Sequence, residues 1–248
     1  MMEHKTFAIL SICILGLAIA RVQATPVEPT FDRFGELARA DFGGNGIPND
    51  NVAVTEASEF TLGLTAHKRF SENPSINNDG AGTFTALRGS NTPGSDPDSN
   101  EGALWNFAFF AEAPGSTFGT DEDDVGLQLL YDFDPGLDTD ESKLGILDLG
   151  KFADDLDSPI ETIQGSQNLL FGFLANDGLD TVTSPTAGAF DPDSTGEYSF
   201  ALRATDTVNN NEVLARSAIN VNMVPTPGAF GLLGLGLTGL GVAARRRR

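Results

Sequence analysis

Cysteine is nearly missing from this chain: its 248 residues hold one, Cys13. Histidine occurs twice, as His4 and His67, and tryptophan once, as Trp105. So few soft ligands exclude a disulfide framework, a thiolate zinc site and a multi-histidine metal site. Basic residues are also scarce. There are 15 Lys and Arg against 35 Asp and Glu, a formal charge of −20. A chain of that sign has no basic face for nucleic-acid phosphates and is repelled by an anionic lipid surface. A Ser-His-Asp triad would have to use His67, and no G-x-S-x-G elbow is present. Hydrophobic residues make up 40% of the chain, too many for a disordered acidic tail.

Long apolar runs occur only at the two ends. The first follows His4 and Lys5 and extends from Phe7 to Ala20, the length of a signal-peptide h-region. Val22, Gln23 and Ala24 follow, so cleavage is expected between Ala24 and Thr25. Cys13 lies inside this segment, which leaves the exported chain without cysteine. The second run covers 17 residues, from Gly228 to Ala244. This is the short end of what spans a bilayer. Val224, Pro225, Thr226 and Pro227 precede it, and Arg245, Arg246, Arg247 and Arg248 end the chain. The prolines hold the approach extended, and the arginines resist translocation.

A proline-bracketed motif, a Leu/Gly-rich span and a terminal arginine cluster, in that order, resemble the PEP-CTERM sorting domain. Thr226 stands where that family usually has Glu. The resemblance implies delivery by the Sec machinery, transient anchoring in the inner membrane and processing by an exosortase. It implies a destination at the surface or in the extracellular matrix of a Gram-negative-type bacterium. Further stretches are similar to segments of some PEP-CTERM proteins: Phe34 to Asp50, Thr61 to His67, Asn78 to Thr83, Tyr131 to Gly136 and Thr139 to Ser142.

The chain thus divides into a signal peptide (1–24), an N-terminal segment with a short helix (25–50), a β-sandwich domain (51–223) and a sorting signal (224–248). Residues 25–224 carry nine Lys and Arg and 34 Asp and Glu, a net −25. Hydrophobicity there alternates with period two. Phe60, Leu62, Leu64 and Ala66 form one such row, and Trp105, Phe107 and Phe109 a second. Leu127, Leu129, Tyr131 and Phe133 form a third; Tyr198, Phe200 and Leu202 a fourth; Val213, Ala215, Ser217, Ile219 and Val221 a fifth. Each reads as a strand with one buried face. Thr83 to Leu87, Leu144 to Leu149 and Leu169 to Leu174 are further strand candidates. Gly, Pro, Asn and Asp clusters separate them. The pattern predicts an all-β fold, an antiparallel β-sandwich of jelly-roll type. Phe31 to Arg39 and Asp154 to Gln164 are expected to form a turn or two of helix.

Acidic clusters are the main chemistry on offer. Asp132, Asp134, Asp138 and Asp140 crowd one strand end and are the candidate ligands of a Ca²⁺ ion, which takes six to eight oxygens. An EF-hand loop begun at Asp132 would need Gly at its sixth position, where Leu137 stands. Asp121 to Asp124 and Asp154 to Asp157 form further acidic runs. His67, beside Lys68 and Arg69, is expected to end a strand at the surface. Trp105, Phe107 and Phe109 are expected in the core, and Phe110 on the opposite face.

The reading these features support is an exported, non-enzymatic matrix protein, structural or adhesive in exopolysaccharide, with Ca²⁺ bridging acidic loops. Two alternatives stand beside it. One is a carbohydrate-binding module using Tyr198 and Phe110 as exposed aromatics. The other is a matrix polysaccharide hydrolase with a carboxylate pair.

Overall fold

A computed structural model describes residues 25–44, 46–57, 59–91, 102–121, 125–154, 160–209 and 212–226. In chain order the elements are β1 (Arg33–Gly35), β2 (Val52–Ala57), β3 (Phe60–Lys68), β4 (Asn77–Asn78), β5 (Thr83–Leu87), β6 (Ser90–Asn91), β7 (Gly102–Ala103), β8 (Trp105–Glu112) and β9 (Val125–Tyr131). They continue with β10 (Gly145–Asp148), helix α1 (Leu149–Asp154), β11 (Thr162–Gln167), β12 (Val182–Thr183), β13 (Gly196–Asp206) and β14 (Glu212–Val224). Two stacked sheets result. One has the order β1-β2-β3-β8-β11, the other β12-β10-β9-β13-β14-β5-β4. The fold is therefore mainly β with almost no helix.

One pairing departs from the expected antiparallel pattern: β14 runs parallel to β5, with Val221 opposite Phe84. The cause is local. β13 and β14 form a long antiparallel hairpin, and β14 lies between β13 and β5. Its direction is fixed by the hairpin, not by β5.

The facing layers hold the inward side of every long strand. Phe107 stacks on Phe200 at 4.7 Å between centroids, and Trp105 meets Phe200 edge-on at 6.0 Å. Trp105, Phe107 and Phe109 are all buried here, as the alternation predicts. Two inter-sheet hydrogen bonds join β2 to β14. Ser217 Oγ donates to the Ala53 carbonyl at 2.9 Å, and Thr55 Oγ1 donates to the Arg216 carbonyl at 2.7 Å.

The outward faces are covered as well, which alternation did not predict. Every residue of β3 except Lys68 is buried. Leu37, Ala40 and Phe42 lie over the outer face of the first sheet, against Val52, Val54, Ala108 and Phe110. Val27 does the same for the second sheet, beside Leu130, Ala201 and Ala218. Residues 25–50 are therefore a strap across both sheets. Thr30 exchanges backbone hydrogen bonds with Ala218 of β14, and Asp32 N–H donates to the Val54 carbonyl. These bonds satisfy backbone groups that a sheet edge would otherwise leave open. Gln164 of β11 secures the other end, its Oε1 accepting from the backbone N–H groups of Asp41 and Phe42 at 3.1 and 2.9 Å.

Three sequence expectations need correction. Phe31 to Arg39 contains β1, since its backbone pairs with β2 instead of closing helical turns. Of Asp154 to Gln164, residues 155–159 lie outside the described residues, Asp154 belongs to α1, and Thr162–Gln167 is not helix but β11, an edge strand whose polar side chains hid it. Leu169 to Leu174 is not a strand. The Asn168 side chain binds Ala103 N–H, Ala103 and Trp105 carbonyls and Leu170 N–H, and turns the chain there.

This packing makes the strap integral to stability. Truncating Leu37 in Leu37→Ala is expected to cost roughly 2–5 kcal/mol in urea unfolding, because its cavity cannot be refilled from the sheet beneath. A loss below about 0.5 kcal/mol, the range of neutral surface changes, would mean that the strap is not load-sharing.

Candidate functional site

A pocket of about 380 Å³ opens where β3 ends. Its walls come from four places: His67, Lys68 and Arg69 of the strand end, the following Phe70 to Pro74 turn, Asn106 of β8, and Ser166 of β11, with Phe171 and the strap glycines Gly44 and Gly46 beside them. Pairing explains the convergence. His67 lies opposite Asn106, and Ser166 opposite Ala108, so the three side chains share the outward face.

The polar wall is one directed chain of hydrogen bonds. Asn168 Nδ2 donates to Asn106 Oδ1 at 2.7 Å, and Asn106 Nδ2 donates to Ser166 Oγ at 3.0 Å. His67 Nε2 lies 2.9 Å from Ser166 Oγ, and His67 Nδ1 lies 2.9 Å from the Lys68 carbonyl. A carbonyl only accepts, so Nδ1 carries the proton and Nε2 is the acceptor. The Ser166 hydroxyl therefore donates to the imidazole. Burial holds the His67 pKa below its ordinary value, which keeps the ring neutral.

The cationic wall differs in kind. Arg69 lies over the Phe70 ring at 4.6 Å and the Phe171 ring at 5.4 Å. Its Nη1 is buried without a hydrogen-bond partner, and burial lowers its pKa. Lys68 is exposed. Phe70 is 68% exposed and has φ +47°, a left-handed conformation uncommon for a bulky residue.

Ser166 and His67 have the spacing of a nucleophile and its base. The imidazole, however, is backed by a carbonyl dipole and not by a carboxylate. An imidazolium formed there would be buried next to Lys68 and Arg69. The arrangement suits holding hydroxyl groups better than moving protons.

The predicted calcium ligands are differently employed. Asp132 is buried, and its Oδ1 accepts from Asp134 N–H at 2.8 Å. Asp134 Oδ1 accepts from Gly136 N–H at 2.9 Å, and Asp140 Oδ1 from Ser142 N–H at 2.9 Å. Asp138 is exposed at φ +56°. These carboxylates close turns, and among the described residues no group of three or more His, Cys, Asp or Glu is placed to hold a metal ion.

Other sequence-predicted residues are placed as follows. Thr25 N–H donates to Asp140 Oδ2 at 3.1 Å, and the Thr25 carbonyl accepts from Glu141 N–H. Val224 ends β14, and Thr226 Oγ1 donates to the Arg88 carbonyl at 2.9 Å. Pro225 and Thr226 are exposed. Ala24, Pro227, Arg245, Arg246, Arg247 and Arg248 lie outside the described residues, as do the expected signal peptide (1–24) and the 228–244 apolar run. Among the described residues no helix is long and apolar enough to cross a membrane. Tyr198 and Phe110, expected to be exposed, are both buried. Tyr198 faces Phe190 at 5.2 Å, and Phe110 lies under the strap with Arg39 over its ring. His67 is buried too, one residue short of the exposed strand end.

The pocket's Asn106 and Ser166 had no sequence signal. The run from His67 to Phe70 did: three consecutive basic-type residues and an aromatic in a body of net −25. No family model, curated protein or solved structure matches the chain.

Burial pushes Asp132 up to about 6 from 3.8. Its folded form thus holds a proton that the unfolded chain releases. The contribution to stability is fully present below about pH 4 and is lost as pH rises through about 6. Between pH 5 and pH 7.5 the wild type should lose roughly 1–1.5 kcal/mol relative to Asp132→Asn, read from urea midpoints at both pH values. Parallel behaviour of the two proteins would contradict the buried, protonated Asp132.

Proposed function

We propose that this is an exported, exosortase-processed protein of the cell surface or extracellular matrix, structural or adhesive within exopolysaccharide. Sec machinery, the inner membrane and an exosortase are its transient partners. The observation that carries this reading is the order, at the end of the sequence, of the motif Val224 to Pro227, the apolar run 228–244 and the arginines 245–248. Thr25, the residue after the expected cleavage point, is already bonded to Asp140 and Glu141. Val224, the first residue of the sorting motif, is the last of β14. Within the motif Pro225 and Thr226 are exposed, as access by a processing enzyme requires.

The role is non-enzymatic on this reading. The site offers hydroxyl, amide and cationic groups without a carboxylate behind the imidazole. The fold is read as a jelly-roll variant. From β3 the chain passes between the sheets at β5, β8, β9, β11 and β13, the wrapping expected of that family of folds. Its last strand, β14, stays beside β13 instead of crossing back.

Intact mass of the native protein from cell-bound and extracellular fractions tests the proposal. The expected extracellular species begins at or near Thr25 and ends between Val224 and Pro227. A protein that stays cell-bound with Arg245 to Arg248 attached would remove the exosortase from the account.

A further inference from the structure

We propose that the pocket at the end of β3 binds a carboxylate-bearing sugar unit of an acidic polysaccharide, with Lys68 and Arg69 meeting the carboxylate and Phe70 stacking on the sugar ring. This rests on the reading of the protein as a component of exopolysaccharide, and it names the chemistry that the site recognises.

Charge singles out the location. Of the nine Lys and Arg in the body, Arg33, Arg39, Lys151, Arg203 and Arg216 are committed to ion pairs with Glu56, Glu112, Asp180 and Glu141, and Lys143 stands by itself in the acidic turn after Asp140, whose carboxyl its charge helps hold low. Arg88 donates to the Asp193 carbonyl. Lys68 and Arg69 are adjacent, and neither forms an ion pair among the described residues. A body of net −25 repels a polyanion over most of its surface, so an acidic glycan is held where two uncommitted cations lie together. Glu72, exposed in the same turn, does not line the pocket.

Strain and exposure single out Phe70. An aromatic ring 68% exposed loses its burial energy. A left-handed backbone at a non-glycine residue adds a cost of its own. Two costs at one position, beside a pocket, mark a residue retained for contact with something outside the fold. The ring's packing on the Arg69 guanidinium pre-orders both groups and spares that entropy on binding.

The polar wall fits a sugar's hydroxyls. The bond direction from Asn168 to Lys68 fixes the Ser166 hydroxyl on His67 and leaves Ser166 Oγ a lone pair for an incoming donor. Arg69 Nη1 is buried against Gly102 of β7, which holds the guanidinium in place at the pocket wall. The pocket's volume, about 380 Å³, is within the range of small-ligand sites.

The test is calorimetric titration of the purified full-length protein, held in nonionic detergent, with trigalacturonate and with its carboxyl-reduced, neutral counterpart. Binding of the acid at least about tenfold tighter than the neutral sugar is expected, a difference of about 1.4 kcal/mol. Lys68→Gln and Phe70→Asn should each weaken it about tenfold. Asn tolerates the left-handed backbone, so Phe70→Asn should match or exceed the wild-type melting temperature while losing affinity. A residue with a merely structural role would not separate the two readouts in that way. Equal affinity for the two sugars, unchanged affinity in both variants, or no binding at millimolar sugar would overturn the proposal. Export is read independently from the intact mass, so a correctly processed protein that ignores the uronate refutes the pocket alone.

Discussion

Everything in this fold hangs on apolar layers that have no covalent support. With Cys13 its single cysteine, the chain can form no internal disulfide to restrain its unfolded state, and burial must oppose the full chain entropy. The contact of Phe107 with Phe200, and of both with Trp105, sits at the middle of that burial. The same demand explains the strap. Strands β3, β8 and β13 are buried along most of both faces, and a two-layer sandwich alone would leave one face of each in water. Leu37 and Phe42 on one side and Val27 on the other supply the missing cover. Gly63 shows how close the fit is: a Cβ there would lie 2.8 Å from the Leu37 Cδ2.

A core that consumes aromatic residues gives meaning to the exception. Tyr131, Phe133, Phe190, Tyr198 and Phe200 are all inside. Phe70, 68% exposed, is the most exposed aromatic among the described residues, ahead of Phe152 at 49%, and it stands beside Lys68 and Arg69. Elsewhere most of the described cations meet carboxylates. Glu141 alone accepts from Arg203 at 3.3 Å and Arg216 at 2.6 Å across neighbouring strands. A net charge of this size favours solubility and repulsion between copies, and Lys68 and Arg69 at the end of β3 are a local exception to it.

The strands legible in the sequence are those whose composition alternates or forms a short apolar run, whatever their burial, and those without either signal were hidden. β3, β5, β8, β9, β13 and β14 each stand where alternation or an apolar run put them, because one face of each must be apolar. β2 was missed: Val52, Ala53 and Val54 are buried on both sides, and continuous burial erases the period. β11 was misread because an edge strand can be polar; its Gln164 serves the strap and its Ser166 the pocket. The apolar run from Leu169 to Leu174 misled in the opposite direction, since Leu169 and Leu174 are buried from a turn and a short 3-10 helix. The acidic runs looked like ligands because composition cannot distinguish a carboxylate that closes a turn from one that awaits a cation. Asp132, Asp134 and Asp140 each accept a backbone N–H two residues on, the commonest employment of Asp in loops. The site's convergence depends on strand register, which brings residues 67, 106 and 166 together and leaves no mark in any local window.

Whether the strap and the two sheets form a single cooperative body is most directly read by native-state hydrogen exchange of the full-length chain. The account predicts that the Leu37 and Phe42 amides, bonded to Asn49 and Gln164, open with free energies close to those of β3 and β8. Amides of the strap that exchange through a separate, much cheaper opening, while β3 and β8 stay protected, would contradict it.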